Sequence, residues 1–241
     1  LHVVVLAAGK GTRMKSQVPK VLHRISGFSL IDRVLRTAGA LAPASITLVV
    51  GHGAEAVRAS LEGQAEPGHH MGSERSLGSS RTLQFVTQEQ QLGTGHALLQ
   101  ARPLLEGKQG TVVLLSGDVP LLTSNTLKSL IDTHEQSQAA ATVVTAEMAR
   151  PFGYGRIVRV SGRISRIVEE RDASPAQRKV TEINSGIYAF DLAPLFGALD
   201  SIGTANQQGE YYLPDLVAIY RKQKRTVATW TVERAEEIRG I

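Results

Sequence analysis

The chain has 241 residues, with 27 Lys+Arg against 22 Asp+Glu, 42% hydrophobic residues and no cysteine. That length and hydrophobicity support a full core, as one large domain or two small ones, and exclude a disordered chain. The absence of cysteine excludes a disulfide scaffold, a Cys-type zinc site and a thiol nucleophile, and favours a cytoplasmic location.

The longest apolar run, 3–8, suits a buried strand and is far too short to span a membrane. Leu1 leads straight into it with no signal peptide, and it is not Met, so the numbering is expected to begin inside the natural chain. Short β-branched runs at His2–Ala7, 46–50, Leu83–Thr87, 111–115 and 142–146 predict buried strands. Amphipathic stretches at 30–41, 54–61, 94–105 and 123–136 predict helices between them. Such alternation implies a mostly parallel sheet covered on both faces. Segment 63–81, rich in Gly, Ser, His and charge, predicts a long mobile loop.

The rhythm changes after Arg150. Arg156–Val160 and Arg163–Val168 flank Ser161-Gly162 and predict an antiparallel hairpin. Further strands are predicted at 187–191 and 227–232, and a late helix at 211–223. The expected fold class is α/β: a Rossmann-like, doubly wound, mostly parallel sheet with a small antiparallel part covering the substrate. With no linker or second core pattern, 1–241 reads as one domain, divided at about residue 150. No hexapeptide β-helix repeat is present.

The positive charge is concentrated. Residues 1–36 carry Lys10, Arg13, Lys15, Lys20, Arg24, Arg33 and Arg36 against Asp32 alone, while the remainder holds 20 basic and 21 acidic residues. A basic segment of this kind suits an anionic substrate. Nucleic acid is not expected, because the run 222–225 has no interleaved aromatics.

Five motifs carry possible chemistry. The loop Gly9-Lys10-Gly11-Thr12-Arg13 follows the first strand, where open α/β sheets bind nucleotides. Its glycines are separated by one residue, unlike a P-loop, and Met14 replaces the third small residue of a dinucleotide fingerprint. Its amides and charges suit an anion, and a flexible solvated loop is the alternative. Pro19-Lys20 offers a fixed point charge for a phosphate, or a surface lysine. Gln88, with Leu92-Gly93-Thr94-Gly95-His96 behind it, follows a strand and opens a helix. A primary amide both donates and accepts, which suits a pyrimidine imide edge; a Thr94 N-cap is the alternative, and His96 reads as a packed histidine.

Asp118, beyond the apolar run 111–115, is costly there unless a hard cation such as Mg²⁺ or a capping role stabilises it. Gly153-Tyr154-Gly155-Arg156, Glu169, 182–186 and Gly209-Glu210-Tyr211-Tyr212 supply side chains suited to sugar hydroxyls and an amide. Each is a weak signal alone.

Taken together, the blocks 6–14, 19–23, 91–97, 117–122, 153–157, 182–188 and 209–215 resemble the sugar nucleotidyltransferases. The resemblance is strongest to the uridyltransferase domain of bifunctional proteins that are also glucosamine-1-phosphate acetyltransferases. It implies transfer of UMP from UTP to N-acetylglucosamine 1-phosphate, giving UDP-N-acetylglucosamine and pyrophosphate for cell-wall and lipopolysaccharide precursors. It also implies a nucleotide-binding half, 1–150, and a sugar-binding half, 151–241. Leu6, Ala7, Ala8 and Gly9 would contact the nucleotide, and Gln88, Gly93 and Thr94 the uracil. Arg13 and Lys20 would act on phosphates as the catalytic cations, Asp118 would bind Mg²⁺, and Gly155, Glu169 and Asn184 would line the sugar pocket.

Three departures stand out. Ser116 occupies a position where many relatives carry tyrosine, and loop 63–81 is longer than in relatives. The family's second metal ligand, an Asn after a Gly-Val/Ile pair, would fall at position 242, after Gly240-Ile241. The acetyltransferase β-helix through which full-length relatives trimerise is not in this sequence. The competing readings are a glucose-1-phosphate thymidylyl- or uridylyltransferase and a non-catalytic nucleotide-binding module.

Overall fold

A computed structural model describes residues 1–9, 11, 14, 16, 18–62 and 83–241. The elements, in chain order, are β1 (His2–Ala7), β2 (Arg24–Ile25), β3 (Phe28–Ser29), α1 (Leu30–Gly39), β4 (Ser45–Val50), α2 (Ala54–Glu62) and β5 (Leu83–Thr87). There follow α3 (Thr94–Leu99), α4 (Arg102–Leu105), β6 (Thr111–Ser116), α5 (Ser124–Gln136), β7 (Ala141–Glu147), β8 (Arg156–Val160) and β9 (Arg163–Val168). The chain ends with β10 (Glu182–Asp191), α6 (Leu192–Leu199), α7 (Asp215–Lys222) and β11 (Val227–Thr231).

The fold is the expected α/β sandwich. Its main sheet runs β11-β7-β10-β6-β1-β4-β5, with β8 and β9 attached beside β10. The pairs β1·β4, β1·β6, β4·β5 and β7·β11 are parallel, β10 runs antiparallel to β6 and β7, and β8 runs antiparallel to both β10 and β9, forming the expected hairpin.

Side-chain alternation along the strands divides the core between the two faces. Val3, Val5, Val113 and Leu115 pack with Val34 and Leu35 of α1 and Leu127 and Leu130 of α5. Val4, Val112 and Leu114 pack on the other face with Leu98, Leu195, Leu216 and Val217. Strands covered on both sides must be apolar at every position, which explains their continuous hydrophobic runs. A reciprocal capping box starts α1: Ser29 Oγ accepts from Asp32 N at 3.1 Å, and Asp32 Oδ2 accepts from Ser29 N at 3.2 Å.

Four local readings are corrected. The helix predicted over 94–105 is broken into α3 and α4, because Pro103 has no N–H and its ring would clash with the carbonyl of Leu99. The late helix begins at Asp215, since Tyr211 is held in a ladder by its own backbone: its N–H donates to Leu92 O, and its carbonyl accepts from Gly95 N, both at 2.8 Å. The strand predicted at 187–191 extends back to Glu182, past a register shift between Asn184 and Tyr188 that disrupts the period-two pattern. Finally, α6 was not foreseen, because its sequence LAPLFGAL is apolar on every side and so has no amphipathic signature. The loop predicted at 63–81 lies outside the described residues.

Candidate active site

The order of the sheet places the site. From β1 the chain goes to β4 on one side, whereas β6 lies on the other, so the carboxyl ends of β1 and β6 flank the point where the order reverses. Crevices at such points bind ligands in open α/β sheets. Leu6 is in register with Ser116, and Gly117 N donates to Leu6 O at 2.9 Å. The first Gly-rich loop and Asp118 therefore leave the sheet side by side.

Between them lies a cavity of about 590 Å³, lined in part by Leu6, Ala7, Gly9, Lys20, Ser116 and Asp118. Lys20 Nζ forms an ion pair with Asp118 Oδ2, and the two side chains are only 24% and 19% exposed. Ser116 Oγ donates to Asp118 Oδ1 at 2.5 Å. Ser116, one of the three departures from the resemblance, thus bears directly on the carboxylate. The opposite wall comes from the end of the chain: Ile241 N donates to Asp118 O at 3.2 Å, and Gly240 lines the cavity. Among the described residues, no group of three His, Asp or Glu side chains could hold a metal. One carboxylate with a neighbouring hydroxyl, both hard oxygen donors, still fits Mg²⁺, which usually keeps several waters and takes substrate oxygens as ligands.

A second cavity, of about 200 Å³, opens beside the first and shares Leu6, Gly153, Tyr154 and Ser185 with it. It is lined by Gly155, Glu169 and Asn184, three residues drawn from separate segments of the chain. Arg156, 2% exposed, supports this wall by donating to the Tyr154 carbonyl and pairing with Glu170 at 2.7 Å. Although burial opposes its charge, Glu170 lies below the usual carboxylate range because Arg156 and the Gly153 N–H hold it ionised. Glu169 behaves in the opposite way. Burial, then the carboxylates of Asp172 and Asp215, push it up to about 7. Tyr188, 2% exposed, also lines this cavity. Sequence reasoning missed it; its one signal was its place at the end of block 182–188.

The segment expected at uracil is set mostly by internal contacts. Gln88, 4% exposed, donates through Nε2 to Gly93 O and lies 3.0 Å from His96 Nδ1, so its carbonyl oxygen is the group it can offer a ligand. Thr94 is the first residue of α3, not its cap; its Oγ1 accepts from Leu213 N at 3.2 Å, and the residue faces the smaller cavity. Gln91, not singled out from the sequence, donates to the carbonyl of Ala8 and ties this segment to the first loop.

The basic segment does not act as a unit. Arg33 donates to Ile25 O at 2.9 Å, and Arg36 stacks 4.3 Å from the Phe28 ring centroid, so these two charges brace the β2–β3 corner. Lys10, Arg13 and Lys15 lie outside the described residues.

A family model described as the MobA-like NTP transferase domain matches residues 3–185. The bifunctional protein GlmU of Streptococcus gordonii is 44% identical over all 241 residues, and that of Streptococcus suis 43%. The chain spans about half the length of these relatives, 49% and 48% respectively. A UDP-glucose pyrophosphorylase solved with UDP-glucose superposes with a TM-score of 0.78 at 21% identity, covering 99% of this chain and 93% of that one. A putative glucose-1-phosphate thymidylyltransferase from Bacillus anthracis gives 0.73 at 19%, covering 96% and 86%. At such identities the two structures speak for the fold, whereas the whole-length matches agree with the motif blocks. The chain belongs to the family of MobA-like NTP transferase domains.

Proposed function

We propose that this protein transfers UMP from UTP to N-acetylglucosamine 1-phosphate, releasing pyrophosphate and forming UDP-N-acetylglucosamine, a precursor for cell-wall and lipopolysaccharide synthesis. One observation carries this reading: two adjoining cavities share Leu6, Gly153, Tyr154 and Ser185, one lined also by Gly9, Lys20 and Asp118 and the other by Gly155, Glu169 and Asn184. The smaller is of the size of one pyranose. The likeness to the GlmU proteins supports the choice of substrates. A cytoplasmic location goes with this reading, and no described helix is long and apolar enough to cross a membrane.

Sugar-phosphate oxygen attacks the α-phosphorus, and pyrophosphate leaves. A phosphate monoester has a second pKa of about 6, so the nucleophile is already largely ionised at neutral pH and no general base is needed. Three of the described histidines are engaged within the fold: His134 with Thr142, His2 with Ser45 and His96 with Gln88. Catalysis here is positioning and charge neutralisation. Mg²⁺ held by Asp118 would neutralise charge on the reacting phosphates. Lys20, and Arg13 in the adjoining loop, offset charge developing on pyrophosphate. Gln88 accepts from the uracil imide, while Leu6, Ala7, Ala8 and Gly9 bring the backbone against the nucleotide. Gly93 and Thr94 hold the strand-to-helix turn beside the base. Asn184 and Glu169 bind the sugar's hydroxyls and amide.

The test is pyrophosphate release from UTP, dTTP, CTP and ATP, each with N-acetylglucosamine 1-phosphate, glucosamine 1-phosphate and glucose 1-phosphate, with and without Mg²⁺. Turnover is expected with UTP, N-acetylglucosamine 1-phosphate and Mg²⁺ together. Preference for glucose 1-phosphate or dTTP would overturn the substrate assignment, and UTP binding without turnover, even when the chain is extended past residue 241 to include the Asn expected at 242, would make it a nucleotide-binding module.

A further inference from the structure

Asp118 has both carboxylate oxygens engaged from within the protein: Oδ2 by the Lys20 ammonium and Oδ1 by the Ser116 hydroxyl at 2.5 Å. The base of Lys20 is held firmly. It opens a short 3-10 turn after Pro19, Leu22 N donates to Pro19 O at 2.9 Å, and Val21 is buried beneath it. On its other side, a Cβ built on Gly11 (φ +58°) would stand 2.8 Å from Lys20 Cβ, so the loop can lie against this side chain only as glycine. Beyond that fixed base, lysine is a point charge on a flexible four-carbon stem, able to exchange one anion for another without moving the backbone.

We infer that Lys20 is the resident counter-ion of Asp118 and competes with a divalent cation for it, so that metal binds weakly until a phosphate chain draws the ammonium away. This rests on the proposed reading of Asp118 as the metal ligand. A partly buried carboxylate needs a compensating positive charge. An ammonium and a divalent cation on the same oxygens repel one another, so each weakens the other's hold. No further described cluster of His, Asp or Glu would help a metal displace the lysine. Phosphate oxygens would change the balance, since they accept the ammonium and supply the cation with ligands. The metal would then settle on Asp118 together with the nucleotide, and nucleotide-free protein would be spared a tightly held cation.

Mn²⁺ is the probe, titrated against the full chain without nucleotide and read from the electron paramagnetic resonance signal of free ion. Lys20→Met should bind Mn²⁺ about five- to tenfold more tightly than the native chain. Lys20→Gln, similar in length and uncharged, should do the same and serves if the Met variant does not fold; Lys20→Arg, still cationic, should not tighten binding. Asp118→Asn should abolish the site, and the Lys20→Met/Asp118→Asn double variant should not restore it. If the uncharged variants bind Mn²⁺ no better than native while Asp118→Asn still abolishes binding, the competition is overturned and Asp118 remains the metal ligand. If native and Asp118→Asn bind Mn²⁺ alike, the metal reading fails and the competition fails with it.

Discussion

Gly93 and Tyr211 lie backbone against backbone: a Cβ on Gly93 would stand 2.7 Å from the Tyr211 carbonyl oxygen and 2.9 Å from its nitrogen. Gly93 also has φ +105°, a conformation that side chains disfavour. Through this contact the segment after β5 is held to the segment before α7, and the neighbouring Thr94 and Leu213 line the smaller cavity.

Gly93→Ala should therefore destabilise the protein by about 2–4 kcal/mol, through a backbone clash and an unfavourable φ at the same residue. Thermal unfolding measures the loss. Activity should fall with it, because the same turn anchors Gln88 through the Gly93 carbonyl.

Asp118→Ala should lower pyrophosphate release by about a hundredfold or more, as expected when a group that stabilises developing charge is removed. Stability should fall by no more than about 1–2 kcal/mol, because the ion pair with Lys20 is largely but not fully buried and the freed ammonium sits on a flexible stem. A near-native melt with near-zero turnover is the expected pair of results; normal turnover would remove Asp118 from the site.

Glu169 predicts a stability that depends on pH. In the folded chain its pKa rises from 4.5 to about 7, chiefly through burial and then through Asp172 and Asp215. Folded protein then holds this proton more tightly than unfolded protein, so the penalty is absent below about pH 4.5, grows as pH rises, and is complete above about pH 7. Glu169→Gln should match native stability at pH 4.5 and exceed it by on the order of 2 kcal/mol at pH 8, in denaturant titrations at the two pH values. The same variant should raise KM for the sugar phosphate, so that stability gained is binding lost.

Arg156→Met should cost about 1–3 kcal/mol, because it leaves Glu170 only the Gly153 N–H and the longer contact with Arg178 at 3.7 Å. Replacing both partners by Met should recover much of that loss, since no charge is then stranded. Denaturation midpoints for the two single variants and the double variant separate these terms.

Local patterns carried much of this molecule. The alternation of apolar runs and amphipathic stretches established the two-faced sheet, because a strand covered on both sides must be hydrophobic throughout. The blocks around Gly9, Asp118, Gly155 and Asn184 marked the family, because each joins an element end to residue types suited to anions, cations or sugar groups. Where period and capping were clear, as at Ser29 and Asp32, the boundaries followed too.

Other features depended on contacts between distant residues. That Lys20 meets Asp118, 98 residues away, follows from β1 and β6 pairing across the switch point, and charge count alone could not distinguish it from Arg33 or Arg36, which brace Phe28. That Gly93 is glycine for the sake of Tyr211, and that Glu169 is pushed towards neutrality by Asp172 and Asp215, are likewise consequences of packing. Sequence alone marked the family and the residues expected to carry its chemistry. Tertiary structure decided which of them share a cleft and in what charge state, because proximity and desolvation arise only when separate strands are brought side by side.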